Sequence, residues 1–333
     1  MKQLEEVSIQ RNRKINKIEL LKQEQEPLTF WDNFENICSN NYEELKPIHE
    51  KYLLKCFGIY DKGSHNSFTL RIRVPLGQLI AHQAEKLADI SKKYGKSSID
   101  LTTRGQIEFR NLNLQELPIV LKELESVGIT TFQTAGDNFR GVVTSALDGY
   151  SKTSLITCED CINDIHDVFL KNPEYIGTLP RKFNTGILGD SINDCNIYGH
   201  DCAFVLAKKD EELGFNLYLG GKVGVQARPI NIFVKPREVK QTFKTIVDLF
   251  KKYGFRDNRN KNRLTYFLDE VGIEEFKEAI IKTSKLDLKT AGILLVKDEY
   301  KIDNTSTIKL KDNKTAIYYS IPTGIFNAEN QKD

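Results

Sequence analysis

Two arginines and a lysine stand where extended runs of this chain are interrupted, and their types suit the holding of an anion. Arg104 lies in Leu101-Thr102-Thr103-Arg104-Gly105-Gln106-Ile107-Glu108-Phe109-Arg110, at the break between two short alternating runs. A guanidinium held there by backbone on both sides is a permanently charged fork with five donors. Arg140 is presented by the polar, glycine-flanked loop Thr134-Ala135-Gly136-Asp137-Asn138-Phe139-Arg140-Gly141. Lys182 belongs to Leu179-Pro180-Arg181-Lys182-Phe183-Asn184-Thr185-Gly186, where alternation sets Lys182 and Asn184 on one strand face and Phe183 on the other. If Arg104, Arg140 and Lys182 converge on one pocket, it is positive enough to hold a small oxyanion.

The whole chain supplies no such field. Its 48 Lys and Arg against 46 Asp and Glu leave +2 over 333 residues, so nothing draws it to nucleic acid or an anionic membrane. Any anion site is local. No apolar run approaches a membrane span, and Met1–Glu6 lacks the apolar core of a signal peptide; a cytoplasmic protein is expected. The six cysteines read as thiols rather than disulfides in that setting. Cys158-Glu159-Asp160-Cys161 is a CxxC pair, but with Cys195 and Cys202 it matches no zinc or iron–sulfur spacing, and no metal ligand is assigned.

The elements that must position these residues are legible as periods. Residues 1–60 alternate charge signs and read as an exposed helical arm, packed down through Trp31. In residues 61–132, Phe68, Leu70, Ile72 and Val74 make a half-buried strand, with Arg71 and Arg73 on its solvated or ligand-facing side. A helix follows, with Ile80, Ala84, Leu87, Ile90 and Tyr94 on one stripe, then the two runs around Arg104, then a helix from Leu114 to Val127 stopped by Gly128. Strand, helix, two strands, helix is the ferredoxin-like order. Residues 133–300 read as an α/β domain with strands at Phe183, Ala203–Ala207 and Phe215–Leu219. Its helices fall near Glu159–Leu170, Pro236–Tyr253 and Glu274–Thr283, and Ala291–Val296 is a buried strand at most. His200-Asp201 invites a reading as a catalytic pair, but adjacent strand residues face opposite ways. Residues 301–333 form a linker and then an echo: Ile321-Pro322-Thr323-Gly324 through Asn330 repeats the offsets of Val74-Pro75-Leu76-Gly77 through Gln83. A second copy of the ferredoxin-like unit begins there, as in a pseudo-twofold protein.

Together, Leu101-Thr102-Thr103-Arg104-Gly105-Gln106, Asp137-Asn138-Phe139-Arg140, Leu179-Pro180-Arg181-Lys182-Phe183 and Val74-Pro75-x-Gly77 resemble the motifs of the sirohaem-dependent nitrite and sulfite reductases. The resemblance implies an α+β fold: a ferredoxin-like half-domain followed by a sirohaem-binding α/β domain. It implies reduction of nitrite to ammonia, or of sulfite to sulfide, at a sirohaem coupled to a [4Fe–4S] cluster. An electron donor such as ferredoxin is implied with it. Residue by residue, Arg104, Arg140, Lys182 and Asn184 match the groups around the substrate, with Thr103, Gln106, Asn138 and Arg181 toward the cofactor. Arg104 and Arg140 would clamp the anion and Lys182 would relay protons. Asn184 stands where typical sulfite reductases carry lysine, which favours nitrite. The family's cluster ligands lie in a second half, so the expectation is a fragment, a split product paired with a separate second-half chain, or a non-catalytic half that binds tetrapyrrole or a partner. On that expectation the chain alone does not turn over.

Overall fold

In the structure, a computed structural model describing residues 1–61, 63, 65–297 and 307–327, the chain divides into two units. One contains Lys17–Gly141, Leu170–Thr178 and the segment from Ser320; the other contains Met1–Asn16, Val142–Phe169 and Leu179–Tyr319.

The first unit is built on strands β1 (Ile59–Asp61), β2 (Phe68–Ile72), β3 (Ser98–Leu101) and β4 (Ile107–Leu112), in the spatial order β1-β2-β4-β3, all antiparallel. Helix Ala81–Tyr94 joins β2 to β3, and helix Leu117–Glu125 follows β4, which is the ferredoxin-like order. Leu87 and Ile90 of the first helix and Val120 and Leu124 of the second share a core with Phe68, Leu70 and Phe109. The β2 strand is not half-solvated as its alternation predicts. Thr69 and Arg73 are buried as well, because the segment after the second helix covers that face: Arg73 N–H donates to Thr130 O (2.9 Å), and Thr134 Oγ1 donates to Arg71 O (2.9 Å). Arg71 is not left to solvent either; it pairs with the buried Glu108 at 2.7 Å.

The expected exposed arm is absent. Phe30, Phe34, Cys38, Tyr52, Leu53, Leu54 and Phe57 all join that same core, and Trp31 stacks on Phe57 with ring centroids 4.3 Å apart. The segment folds as short helices, such as Pro27–Asp32 and Phe34–Ser39. Helices of barely two turns show no sustained 3.6-residue period, so their buried faces read as mixed sequence. Residues 1–16 belong to the other unit, where Arg11 pairs with Asp257 at 2.8 Å.

The second unit holds a sheet in the order β5-β6-β7-β8-β9: β5 (Phe139–Val143), through which the chain passes from the first unit, β6 (Phe183–Leu188), β7 (Cys202–Lys209), β8 (Glu212–Leu219) and β9 (Arg228–Val234). β6 and β7 are parallel; β7, β8 and β9 are antiparallel neighbours. Phe183 packs on Phe243 and Phe250 of helix Val239–Tyr253, at 6.1 and 5.8 Å between ring centroids. Ala291–Val296 supplies only β10 (Ile293–Leu294), beside the far end of β7 past the last β6 pairing, with Ile293 74% exposed. Helix Leu264–Val271, which the sequence reading lacks, precedes helix Ile273–Ser284. β11 (Thr307–Lys309) and β12 (Thr315–Ile317) form a hairpin.

The echo near the C-terminus is real in the backbone. Leu76 and Thr323 both take left-handed φ (55° and 56°), and Gly77 and Gly324 follow at 71° and 72°. In each turn the glycine N–H donates to the residue three before it, Val74 and Ile321, at 3.1 Å. Non-glycine residues rarely adopt that region, so the two turns share an uncommon backbone conformation at matched positions. After Gly324, β13 (Ile325–Asn327) adds to the free edge of β3, antiparallel. Ala328–Asn330 of the echo, like residues 301–306 of the linker and residues 298–300 before it, lie outside the described residues.

Candidate anion-binding site

Arg104 sits at the tip of the β3–β4 hairpin. Thr102 N–H donates to Gln106 O (2.8 Å), Gly105 N–H donates to Thr102 O (3.1 Å), and Thr102 Oγ1 accepts from Gln106 N–H (3.1 Å). This is a three-residue loop closed by a residue in the left-handed region, which Gly105 supplies at φ 61°. Thr103 and Arg104 are thus displayed on a fixed turn, while Gln106 turns inward and is buried.

Arg140 is not on an open loop as its sequence suggests; it is the second residue of β5 and only 8% exposed. Its guanidinium donates to Gly136 O (3.1 Å) and Asn138 O (3.4 Å), carbonyls of the turn just before it. The turn is braced from below by Asn138, whose Nδ2 donates to Ala135 O (2.9 Å) and whose Oδ1 accepts from Gly177 N–H (2.6 Å). Asn138 is fully buried and committed to these bonds, so its role is to shape the turn rather than to reach outward. Asp137 pairs with Lys22 at 3.0 Å. The two arginine segments meet through Gly141: a Cβ there would lie 2.7 Å from Arg104 O and 3.0 Å from Gln106 Cγ. Only glycine allows that approach.

Lys182 and Asn184 belong to the other unit. Phe183 is anchored under helix Val239–Tyr253, which leaves its neighbours on the opposite face. Arg181 Nε donates to Arg259 O (3.2 Å). Asn184 N–H donates to Asp201 Oδ2 (2.8 Å), and Asp201 accepts both Nε and Nη2 of Arg263 (2.9 and 2.7 Å). Asp201 is 1% exposed. Asp201 O also accepts Gly220 N–H (2.8 Å), and Arg263 is the N-cap residue of helix Leu264–Val271, so Asp201 links β6, the residue after β8 and a helix start. The His200 Nδ1 contacts Ile197 O (2.9 Å).

Sequence reasoning missed Arg263, Lys22 and the burial of Arg73. Arg73 is 1% exposed, and burial pulls its pKa down to about 9, which still leaves it charged near neutrality.

The cofactors implied by the sequence fit unequally. Gln106 Nε2 and Asn184 Oδ1 are buried with no partner among the described residues. A buried amide without a partner is costly, by about 1–3 kcal/mol, and an orphaned donor beside the Arg104 turn suits a carboxylate or oxyanion oxygen. The Gln106 Nε2 donor suits a carboxylate-rich tetrapyrrole, whereas the Asn184 oxygen is an acceptor and calls for a donor. An iron–sulfur cluster does not fit. All six cysteines are free thiols, burial pushing Cys56 up to about 12 and Cys161 up to about 11. Among the described residues no group of three His, Cys, Asp or Glu is placed to hold a metal. Among them, too, no helix is long and apolar enough to cross a membrane.

Residues 60–127 match the nitrite/sulfite reductase ferredoxin-like half domain, and residues 135–288 the nitrite and sulphite reductase 4Fe-4S domain. The ferredoxin–nitrite reductase of Leptolyngbya laminosa is 30% identical over 309 residues, covering 90% of this chain and 60% of that protein. That of Synechococcus elongatus is 34% identical over 290 residues, covering 84% and 56%. The chain therefore spans somewhat over half the length of these relatives. The solved Mycobacterium tuberculosis NirA protein superposes with a TM-score of 0.84 at 23% identity, over 92% of this chain and 60% of that one, which shows a shared fold.

Proposed function

Since the chain belongs to the nitrite and sulphite reductase family, we propose that it binds nitrite and takes part in its reduction to ammonia at a sirohaem, with ferredoxin as the class of electron donor. The observation that carries this reading is the Arg104 turn packed on the Arg140 strand through Gly141, with the unpartnered amide of Gln106 at their junction. When bound, sirohaem would pass electrons from the donor to nitrite and supply a coordination position for it. Its carboxylates would be held by Arg181, Gln106 and the Thr103 turn.

The chain's own groups do the rest. Arg104 and Arg140 neutralise and orient the anion, and neither gives up a proton readily. Nitrite reduction consumes protons at every stage, so Lys182 is the group that moves them. Asn184 keeps hydrogen-bonding capacity without charge. A unit charge at about 4 Å contributes roughly 4 kcal/mol at an effective dielectric near 20, and twice that toward a dianion. An uncharged residue here therefore costs sulfite more than nitrite. No residue of this chain is assigned to the iron–sulfur cluster.

The test is direct. The chain is loaded with sirohaem, and its absorption is followed while sodium nitrite is added. Retention of the tetrapyrrole and a saturable spectral change that weakens in Arg104→Ala and Arg140→Ala support the reading. A chain that retains no tetrapyrrole, or variants that bind nitrite as the parent does, sink it.

A further inference from the structure

Arg73 is a buried cation in a place where the expected chemistry needs none. Its side chain crosses the neck of the Arg140 turn. Nη2 donates to Phe132 O (3.3 Å), Gln133 O (3.2 Å) and Phe139 O (3.0 Å), Nη1 to Arg140 O (3.3 Å), and Nε to Phe132 O (3.4 Å). Those carbonyls come in two pairs, 132–133 entering the turn and 139–140 leaving it. One planar fork therefore fastens both arms of the turn to β2. Inside the same turn, Arg140 is held by Gly136 O and Asn138 O. The direction of Arg140 is thus set by a turn whose width is set by Arg73.

We propose that Arg73 is the positioning residue for Arg140 in anion binding, acting from behind the site without touching the anion. This rests on the reading of Arg140 as an anion clamp. Burying a guanidinium costs several kcal/mol, and charge-assisted bonds to carbonyls recover it only if the fork spans both arms. Lysine presents its donors from a single point and cannot bridge two pairs of carbonyls. Arg73→Lys therefore keeps the charge and loses the clip, whereas Arg73→Met loses both.

Two measurements decide it. In the sirohaem-loaded chain, nitrite Kd is read in wild type, Arg73→Lys, Arg140→Ala and the double variant, with Arg73→Met added where it folds. The expected result is a rise in Kd of about tenfold for Arg73→Lys in the parent and none in the Arg140→Ala background. An equal rise in both backgrounds, or an unchanged Kd beside a binding parent, overturns the proposal. In the unloaded chain, amide hydrogen exchange across Thr134–Phe139 is expected to quicken by about tenfold or more in Arg73→Lys; unaltered protection also overturns it. If wild type and Arg140→Ala bind nitrite equally, the clamp reading itself fails, which the exchange measurement distinguishes from failure of the Arg73 clip.

Discussion

Asn184 and Asp201 show how one residue's environment decides what a substitution does. Asn184→Lys would place a cation where the chain has a buried amide. The expected outcome is a shift of preference, read as the ratio of nitrite to sulfite affinity, toward sulfite by at least about tenfold, given roughly 4 kcal/mol per charge before solvent screening. Spectral titration with each anion measures it. Asp201 lies behind Asn184, and its carboxylate carries both the Asn184 N–H and the Arg263 fork. Removing its charge strands a largely buried guanidinium, so Asp201→Asn should cost about 3 kcal/mol in a denaturant titration. The Asp201→Asn and Arg263→Met double variant should cost less than the two changes summed, because neither then leaves an unpaired charge.

At the scale of elements, the critical contact is a hairpin tip against a strand. A methyl at Gly141 would stand 2.7 Å from the Arg104 carbonyl, a main-chain atom that cannot swing aside. Gly141→Ala should lower stability by about 1–3 kcal/mol, and with it loosen the Arg104 turn, seen as faster amide exchange at Gly105 and Gln106. Much of this level was legible. The hairpin, both helices of the ferredoxin-like unit, the turn echo and the strands at Ala203 and Phe215 follow from period and from punctuating glycines. What failed to show has a common cause. Alternation identifies a buried face only when the other face meets water, and β2, β6 and the first half of β4 (Ile107, Glu108 and Phe109) are covered on both sides. Arg73, Glu108 and Asn184 therefore look solvated in sequence and are buried in the fold. The burial of the N-terminal helical segment escaped notice for the opposite reason: helices such as Pro27–Asp32 and Phe34–Ser39 are too short to display a period. Asp201 and Arg263 are separated by 61 intervening residues of chain, and no local pattern couples them.

For the whole chain, near-neutral net charge hides carboxylates whose environments pull in opposite directions, and both kinds lie in the unit that carries Lys182. Burial raises the pKa of Asp148 and of Asp194, with Asp190 adding repulsion. Burial is the largest single influence on Asp257 and pushes it up, but the Arg11 hydrogen bond, backbone N–H donors and the Arg11 charge together outweigh it, and the net shift is downward. An acid held above its unfolded value binds its proton more tightly in the native state, so it stabilises at low pH and that contribution is lost as pH rises through the native value. Asp257 does the reverse, stabilising above the usual carboxylate range and losing its contribution on acidification. Asp148 offers the sharper test. One of its oxygens accepts Cys158 N–H at 2.7 Å and the other has no partner among the described residues. Asn at this position can keep the first bond and remove the charge. Asp148→Asn should then raise Tm at pH 7 to 8, and the gain should shrink as pH falls through the raised range in which the native carboxyl takes up its proton. Differential scanning calorimetry of both proteins across that range measures it. A Tm difference that does not change with pH would mean that packing, not the buried charge, governs the site.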